Sequence, residues 1–196
     1  MNFLAHAYLA GDDLDLIVGG VIGDWIKGPL PGVLPAGLAR GAALHRAIDT
    51  WADGHPGFRA SRARVSPERR RYAGVLVDIF YDHLLAREWH ASHATHLTEY
   101  CLDVYASIDE RLSLIPADAH GALRRMAADD WLGSYATVNG IADVLHRMSQ
   151  RSRRPNPLSG GEAEFLADAT GFEADFDVWL RDARVFAQGW VAGTKA

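Results

Sequence analysis

A single cysteine, Cys101, stands in this chain of 196 residues, so no internal disulfide can form and a reducing compartment is the expected setting. Its apolar neighbours mark it as a packed thiol and not a nucleophile. No apolar run approaches the length of a membrane span. The opening MNFLAHAYLA has no early lysine or arginine and is interrupted by His6, which makes it a poor signal peptide. These absences together predict a soluble, cytoplasmic protein. GxSxG, P-loop, GxGxxG and paired CxxC motifs are missing as well, which removes support for serine hydrolase, NTPase, dinucleotide-binding and zinc-ribbon readings. A formal net charge of −5 argues against general nucleic-acid binding. Internal repeats, low-complexity tracts and alternating strand patterns are also lacking.

What is present is helical periodicity. A hydrophobic content of 48% suits one domain with an ordinary core, and the expected fold is an all-α, single-domain helical bundle over 1–196. Helices are expected over 2–10, 13–25, 36–53, 67–90, 95–113, 117–133, 137–151, 160–169 and 172–190. Punctuation agrees: Gly28-Pro29 and Pro31-Gly32 break the chain after Trp25, Gly54-His55-Pro56-Gly57 ends the third helix, and Pro116 suits a helix start. Phe165, Phe172, Phe176, Trp179, Leu180, Val185 and Phe186 form a core-facing stripe near the end.

Polar residues inside this apolar pattern carry the functional signal. The segment YAGVLVDIFYDHLLA, from Tyr72, is apolar nearly all round except for Asp78, Asp82 and His83, so its helix should be central and buried. Asp78 and Asp82, four residues apart, share a face, and two buried carboxylates side by side demand positive charge. A divalent metal meets that demand; arginine partners for the carboxylates and a hydrogen-bonded core His83 are the bland alternative. In AALHRAIDTWAD, His45, Asp49 and Asp53 recur every four residues, which aligns an imidazole with a carboxylate. Asp24 sits at a helix C-terminus, where the macrodipole disfavours it, so a ligand or the nearby Lys27 should compensate it.

His6 lies on an apolar helix of its own. Together His6, Asp24, His45, Asp49, Asp78, Asp82 and His83 offer seven nitrogen and oxygen donors from four helices, expected to converge on one concave site. Such a mixed set suits Mn²⁺, Fe²⁺ or Zn²⁺, with Mg²⁺ also admissible. His90, His93 and His96 lack acidic partners at ligand spacing and are expected at the surface, as are His120 and His146. Arginines crowd two places, Arg59 to Arg71 and Arg147 to Arg154, either as solvated surface or as a partner-binding face.

NFLAH, IGDWIKG, LHRAIDTWAD and DIFYDHLLAREW, in this order and spacing, resemble the acyl carrier protein phosphodiesterases, with specific similarity over about the first ninety residues and a looser one beyond. The resemblance implies a divergent HD-type phosphohydrolase: all-helical, dependent on a divalent metal such as Mn²⁺, and cleaving 4′-phosphopantetheine from holo acyl carrier protein to give the apo form. It also implies a functional centre at His6, Asp24, His45, Arg46, Asp49, Asp78, Asp82 and His83. Gly20 departs from the family, whose members commonly carry an asparagine there. Asp24 or Asp78 would orient the attacking water, and Arg46 or Lys27 would bind a non-bridging phosphoryl oxygen. Because acyl carrier proteins are acidic, Arg69, Arg70 and Arg71 are the expected docking residues. An HD-type enzyme acting on nucleotides or other small phosphoesters would use the same metal site and differ in substrate. A non-enzymatic helical interaction protein would differ in binding no stoichiometric metal.

Overall fold

The computed structural model describes residues 3–152 and 154–193, so Arg153 and the expected helical start at Asn2 lie outside it. Among the described residues the chain is all-α, with twelve α-helices and no strand. In chain order these are α1 (Phe3–Leu9), α2 (Leu14–Ile22), α3 (Ala36–Gly54), α4 (Pro56–Arg64), α5 (Ala73–Arg87), α6 (Trp89–Ser92), α7 (Leu97–Glu110), α8 (Ala117–Ala128), α9 (Trp131–Ser134), α10 (Val138–Arg151), α11 (Glu162–Ala167) and α12 (Ala169–Gly193). None of them is long and apolar enough to cross a membrane.

Helix α5 runs through the hydrophobic core. Leu76, Val77, Ile79, Phe80, Tyr81, Leu84 and Leu85 are all buried, as its all-round apolar sequence requires. Helices α1, α4, α10 and α12 pack around it. Cys101 is buried on α7, where burial pushes its thiol up to about 12, as a packed, unreactive thiol should be.

The most extensive helix contact joins α2 to α3. Asp13 starts α2 by accepting from the amides of Asp15 and Leu16, and the helix tightens into a 3-10 turn, Gly23–Trp25, that presents Asp24. Glycines let the two backbones touch. A Cβ on Gly19 would stand 2.7 Å from the Gly41 Cα, and one on Gly41 would stand 2.6 Å from the Leu16 carbonyl oxygen.

Several boundaries differ from the sequence expectation: the expected helix 67–90 is divided into α5 and α6, the expected helix 117–133 into α8 and α9, and α12 begins at Ala169 and not at 172. The stretch after Gly54 does not end in a loop but opens α4, because Pro56 takes the first helical position and His55 caps it, accepting from the Gly57 amide at 3.2 Å. The core helix starts at Ala73 and not at 67. Upstream, tertiary bonds claim the chain: Glu164 accepts from the Ser66 amide at 2.9 Å and from its hydroxyl at 2.6 Å, while Arg69 donates to Glu164 at 3.1 Å and to the Pro157 carbonyl at 2.9 Å. Helix α12 is fastened over α3 and α4 by Arg64 to Asp175 at 2.7 Å, by Arg64 to Asp168, and by Trp51 stacked on Phe186.

Replacing Gly41 with alanine forces α2 and α3 apart, and the expected loss is about 1–3 kcal/mol of unfolding free energy. Urea titration followed by circular dichroism reads it as a lower midpoint. An unchanged midpoint would mean that the helices are not in contact there.

Candidate metal centre

One turn beyond Gly41, α3 carries His45. Its Nδ1 donates to the Gly20 carbonyl on α2 at 2.8 Å, which fixes the ring and its tautomer and aims Nε2 at two carboxylates. Asp49 Oδ2 lies 3.2 Å from that nitrogen and Asp24 Oδ1 lies 3.6 Å from it. His6 on α1 stacks on His45 with centroids 3.8 Å apart, and its Nε2 lies 3.1 Å from the other oxygen of Asp49. Donor atoms of His6, His45 and Asp49 all lie within 4.8 Å of one another. Both imidazoles are buried, whereas the Asp49 side chain is 50% exposed, so the group opens to solvent on the carboxylate side.

Charge is unevenly shared within the group. Burial and the adjacent His45 lower His6 to about 4, so it stays neutral. Burial also opposes the charge on His45, but the Asp24 and Asp49 carboxylates outweigh it and lift this imidazole to about 9. For Asp24 the hydrogen-bonding His45 overcomes burial and lowers the carboxyl to about 2; Asp49, held by both imidazoles against the same burial cost, is depressed further. Asp78 on α5 is raised by burial, with the charges of Asp49 and Asp24 adding to the rise, so the three acids feel one another.

A divalent cation fits these residues. The donor set is two imidazoles and a carboxylate, with further carboxylates close by; the tautomer of His45 is locked by a backbone carbonyl, and the Nδ1 of His6 is buried without a hydrogen-bond partner among the described residues.

Other expected members are placed elsewhere. Asp82 shares the α5 face of Asp78 but accepts from the backbone amides of Leu4 and Ala5 at 3.2 and 2.8 Å, binding the start of α1 to α5. Burial pushes its carboxyl well above the ordinary value, and its work is to hold the helix that carries His6. His83 turns away entirely: its Nδ1 donates to the Tyr135 carbonyl at 2.7 Å and its ring meets Phe165 edge-on, the arrangement of a hydrogen-bonded core histidine. Arg46 spends its guanidinium on the carbonyls of Ile26 and Gly28, both at 2.9 Å, and so clamps the loop after Asp24. Lys27 bonds the backbone carbonyl of Asp24 and not its carboxylate, at 2.6 Å. Asp53 pairs with Arg62 at 3.3 Å at the surface.

Sequence reasoning grouped Arg147 and Arg151 as a surface or partner-binding cluster but did not place them in the far wall of the site. A cavity of about 380 Å³ begins at Asp24 and is lined by residues of α9 and α10, among them Trp131, Arg147 and Arg151. The available signal was the spacing of Val144, Arg147, Met148 and Arg151, which places four residues on one face of α10.

With this geometry in place, the likeness to known proteins becomes specific. Curated relatives are named acyl carrier protein phosphodiesterase: one from Pectobacterium atrosepticum is 32% identical over 82% of this chain and 83% of its own. One from Serratia proteamaculans is 30% identical over 90% and 92%, and one from Photorhabdus laumondii 32% over 90% and 88%. No solved structure matches this one significantly. The class these relatives define is the phosphodiester hydrolases. A family profile described as acyl carrier protein phosphodiesterase matches residues 1–183, and the chain belongs to that family.

Exchanging two aspartates separates holding from binding. Asp82→Ala strands two buried amides and should cost about 2–4 kcal/mol in chemical denaturation while weakening Mn²⁺ affinity in the folded protein far less than loss of Asp49. Asp49→Ala should retain the fold and weaken Mn²⁺ binding, measured by calorimetry, about 100-fold or more. Equal metal affinities in the two variants would remove Asp49 from the ligand set.

Proposed function

We propose that this chain hydrolyses the phosphodiester joining 4′-phosphopantetheine to a serine of holo acyl carrier protein, releasing apo carrier protein and 4′-phosphopantetheine. The observation that carries the reading is the imidazole and carboxylate group of His6, His45 and Asp49, open on one side, in a chain of this family. His6, His45 and Asp49 would hold a divalent cation, Mn²⁺ first and Mg²⁺, Fe²⁺ or Zn²⁺ as substitutes, with Asp24 and Asp78 beside them. When bound, the cation supplies positive charge against the phosphoryl oxygens and acidifies the attacking water.

The residues divide the remaining work. Asp24 and Asp78 orient that water and take its proton; attack at phosphorus breaks the bond to the serine oxygen, which leaves as a hydroxyl after gaining a proton. His45, locked to Gly20, keeps its Nε2 facing the carboxylates throughout. Arg46 is a positioning residue, because its donors are occupied by the loop that carries Lys27. Incubation of the purified protein with holo carrier protein and Mn²⁺, followed by intact mass, should show loss of the phosphopantetheine mass, and a chelator should stop it. Retention of that mass with Mn²⁺ and with each of the other three cations would overturn the reading.

The carrier protein is acidic, and Arg70 and Arg71 supply complementary charge. Both are exposed on the turn before α5, and no ion pair among the described residues takes them. Arg69 does not belong to this surface, since it is bound to Glu164 and Pro157. Changing Arg70 and Arg71 together to alanine should lower kcat/KM for holo carrier protein several-fold at low salt, with the difference closing as salt rises. Equal rates at low salt would exclude this surface.

A further inference from the structure

The carboxylate 3.6 Å from His45 Nε2 is also part of a cavity wall. From Asp24 the hollow of about 380 Å³ extends away from the imidazoles, and this is the size of a small-ligand pocket, roughly 300–1,000 Å³. Its sides are aromatic. Trp25 stacks on Phe3, with centroids 5.4 Å apart and 7° between planes, and Phe3 in turn meets Trp131 at 6.5 Å. The remaining side is the α10 face, where Val144 and Met148 alternate with Arg147 and Arg151.

The two arginines are uncommitted to carboxylates. No ion pair or side-chain hydrogen bond among the described residues engages either of them, although Arg151 lies over the Trp131 ring at 5.0 Å from its centroid. A guanidinium held without a carboxylate in the wall of an aromatic hollow is complementary to an anionic group on an otherwise uncharged ligand. An anion of that kind placed beside Asp24 would also lie against the imidazole and carboxylate group.

We infer that this cavity receives the pantetheine arm of the substrate, with the phosphate between Asp24 and Arg147 and the amide-bearing arm along Phe3, Trp25 and Trp131. The inference rests on the proposed reaction, which leaves an arm of this chemistry attached to the reacting phosphate. In the hydrolysis itself the arm stays on phosphorus and the serine departs, so the cavity would hold the 4′-phosphopantetheine product as well as the substrate arm. The methylene and methyl groups of the arm suit stacked aromatic sides, where their burial is favourable, and its amide oxygens can accept from Arg151 in the same wall.

Direct binding tests it without reference to turnover. By calorimetry, free 4′-phosphopantetheine should bind the purified protein about tenfold or more tightly than inorganic phosphate, the difference being the contribution of the arm. Val144→Trp fills the cavity and should shrink that difference to less than about threefold, while phosphate affinity changes little. Should Val144→Trp fail to fold by circular dichroism, Met148→Trp, at a half-buried position on the same face, replaces it. Equal affinities for the two ligands in the wild type, or a tenfold difference surviving in a folded cavity-filling variant, would overturn the inference. Arm binding without loss of the phosphopantetheine mass from holo carrier protein would instead overturn the reaction and leave the pocket standing.

Discussion

Backbone contact between α2 and α3 sets the geometry on which the rest of the site depends. Gly19 and Gly41 let the helices meet with no side chain between them, and one turn further along each helix come Gly23 and His45. There the imidazole occupies the space that a side chain at position 23 would need: a Cβ on Gly23 would stand 2.6 Å from His45 Nδ1. Helix approach and ring placement are thus one event. The same approach brings the Gly20 carbonyl within reach of Nδ1, and the 3-10 turn that follows delivers Asp24 to the other side of the ring. A bulkier residue at any of these points would move the imidazole before it touched a ligand.

Electrostatics explain why the group is assembled in this form. His6 and His45 stack at 3.8 Å, a distance at which two charged rings would repel strongly, and the protein resolves this by keeping His6 neutral and giving the proton to His45. Asp49 touches both rings, one oxygen to each. Asp24 and Asp78 add two further carboxyls to the group, while several arginines are committed elsewhere. Arg46 and Arg69 are bound to backbone carbonyls or to Glu164, and Arg64 to Asp168 and to Asp175 of α12. Of the two carboxylates on the apolar helix α5, only Asp78 is coupled to this group, because Asp82 is spent on the amides of Leu4 and Ala5.

Periodicity made the helical fold legible, because burial of an apolar stripe is a local property of sequence. It also grouped His45 with Asp49, one turn apart on α3. It failed where neighbours in sequence were treated as neighbours in space. Asp82 and His83 are adjacent, so on a helix they point about 100° apart; one reaches α1 and the other reaches Tyr135. Arg46 follows His45 and is turned away in the same manner. Helix α4 was hidden because Gly54 and Gly57 read as a break, although Pro56 between them is a helix start. The α10 wall shows in the sequence only as an arginine cluster, and it is tertiary packing that brings Arg147 to the cavity that begins at Asp24.

The attachment of α12 has a consequence for how the chain acquires its fold. The last long helix covers segments near the beginning: Arg64 holds Asp168 and Asp175, Trp51 stacks on Phe186, and Arg40 donates to the Val191 carbonyl at 2.6 Å. A ribosome delivers α3 and α4 well before it delivers their cover. During that interval Trp51, Phe58 and the outer side of α3 must wait in water, at sequence separations that reach 151 residues for the Arg40 contact. His6, His45 and Asp49 all precede α5, whereas the cover over Trp51 and the outer side of α3 comes from α12, much later in the chain.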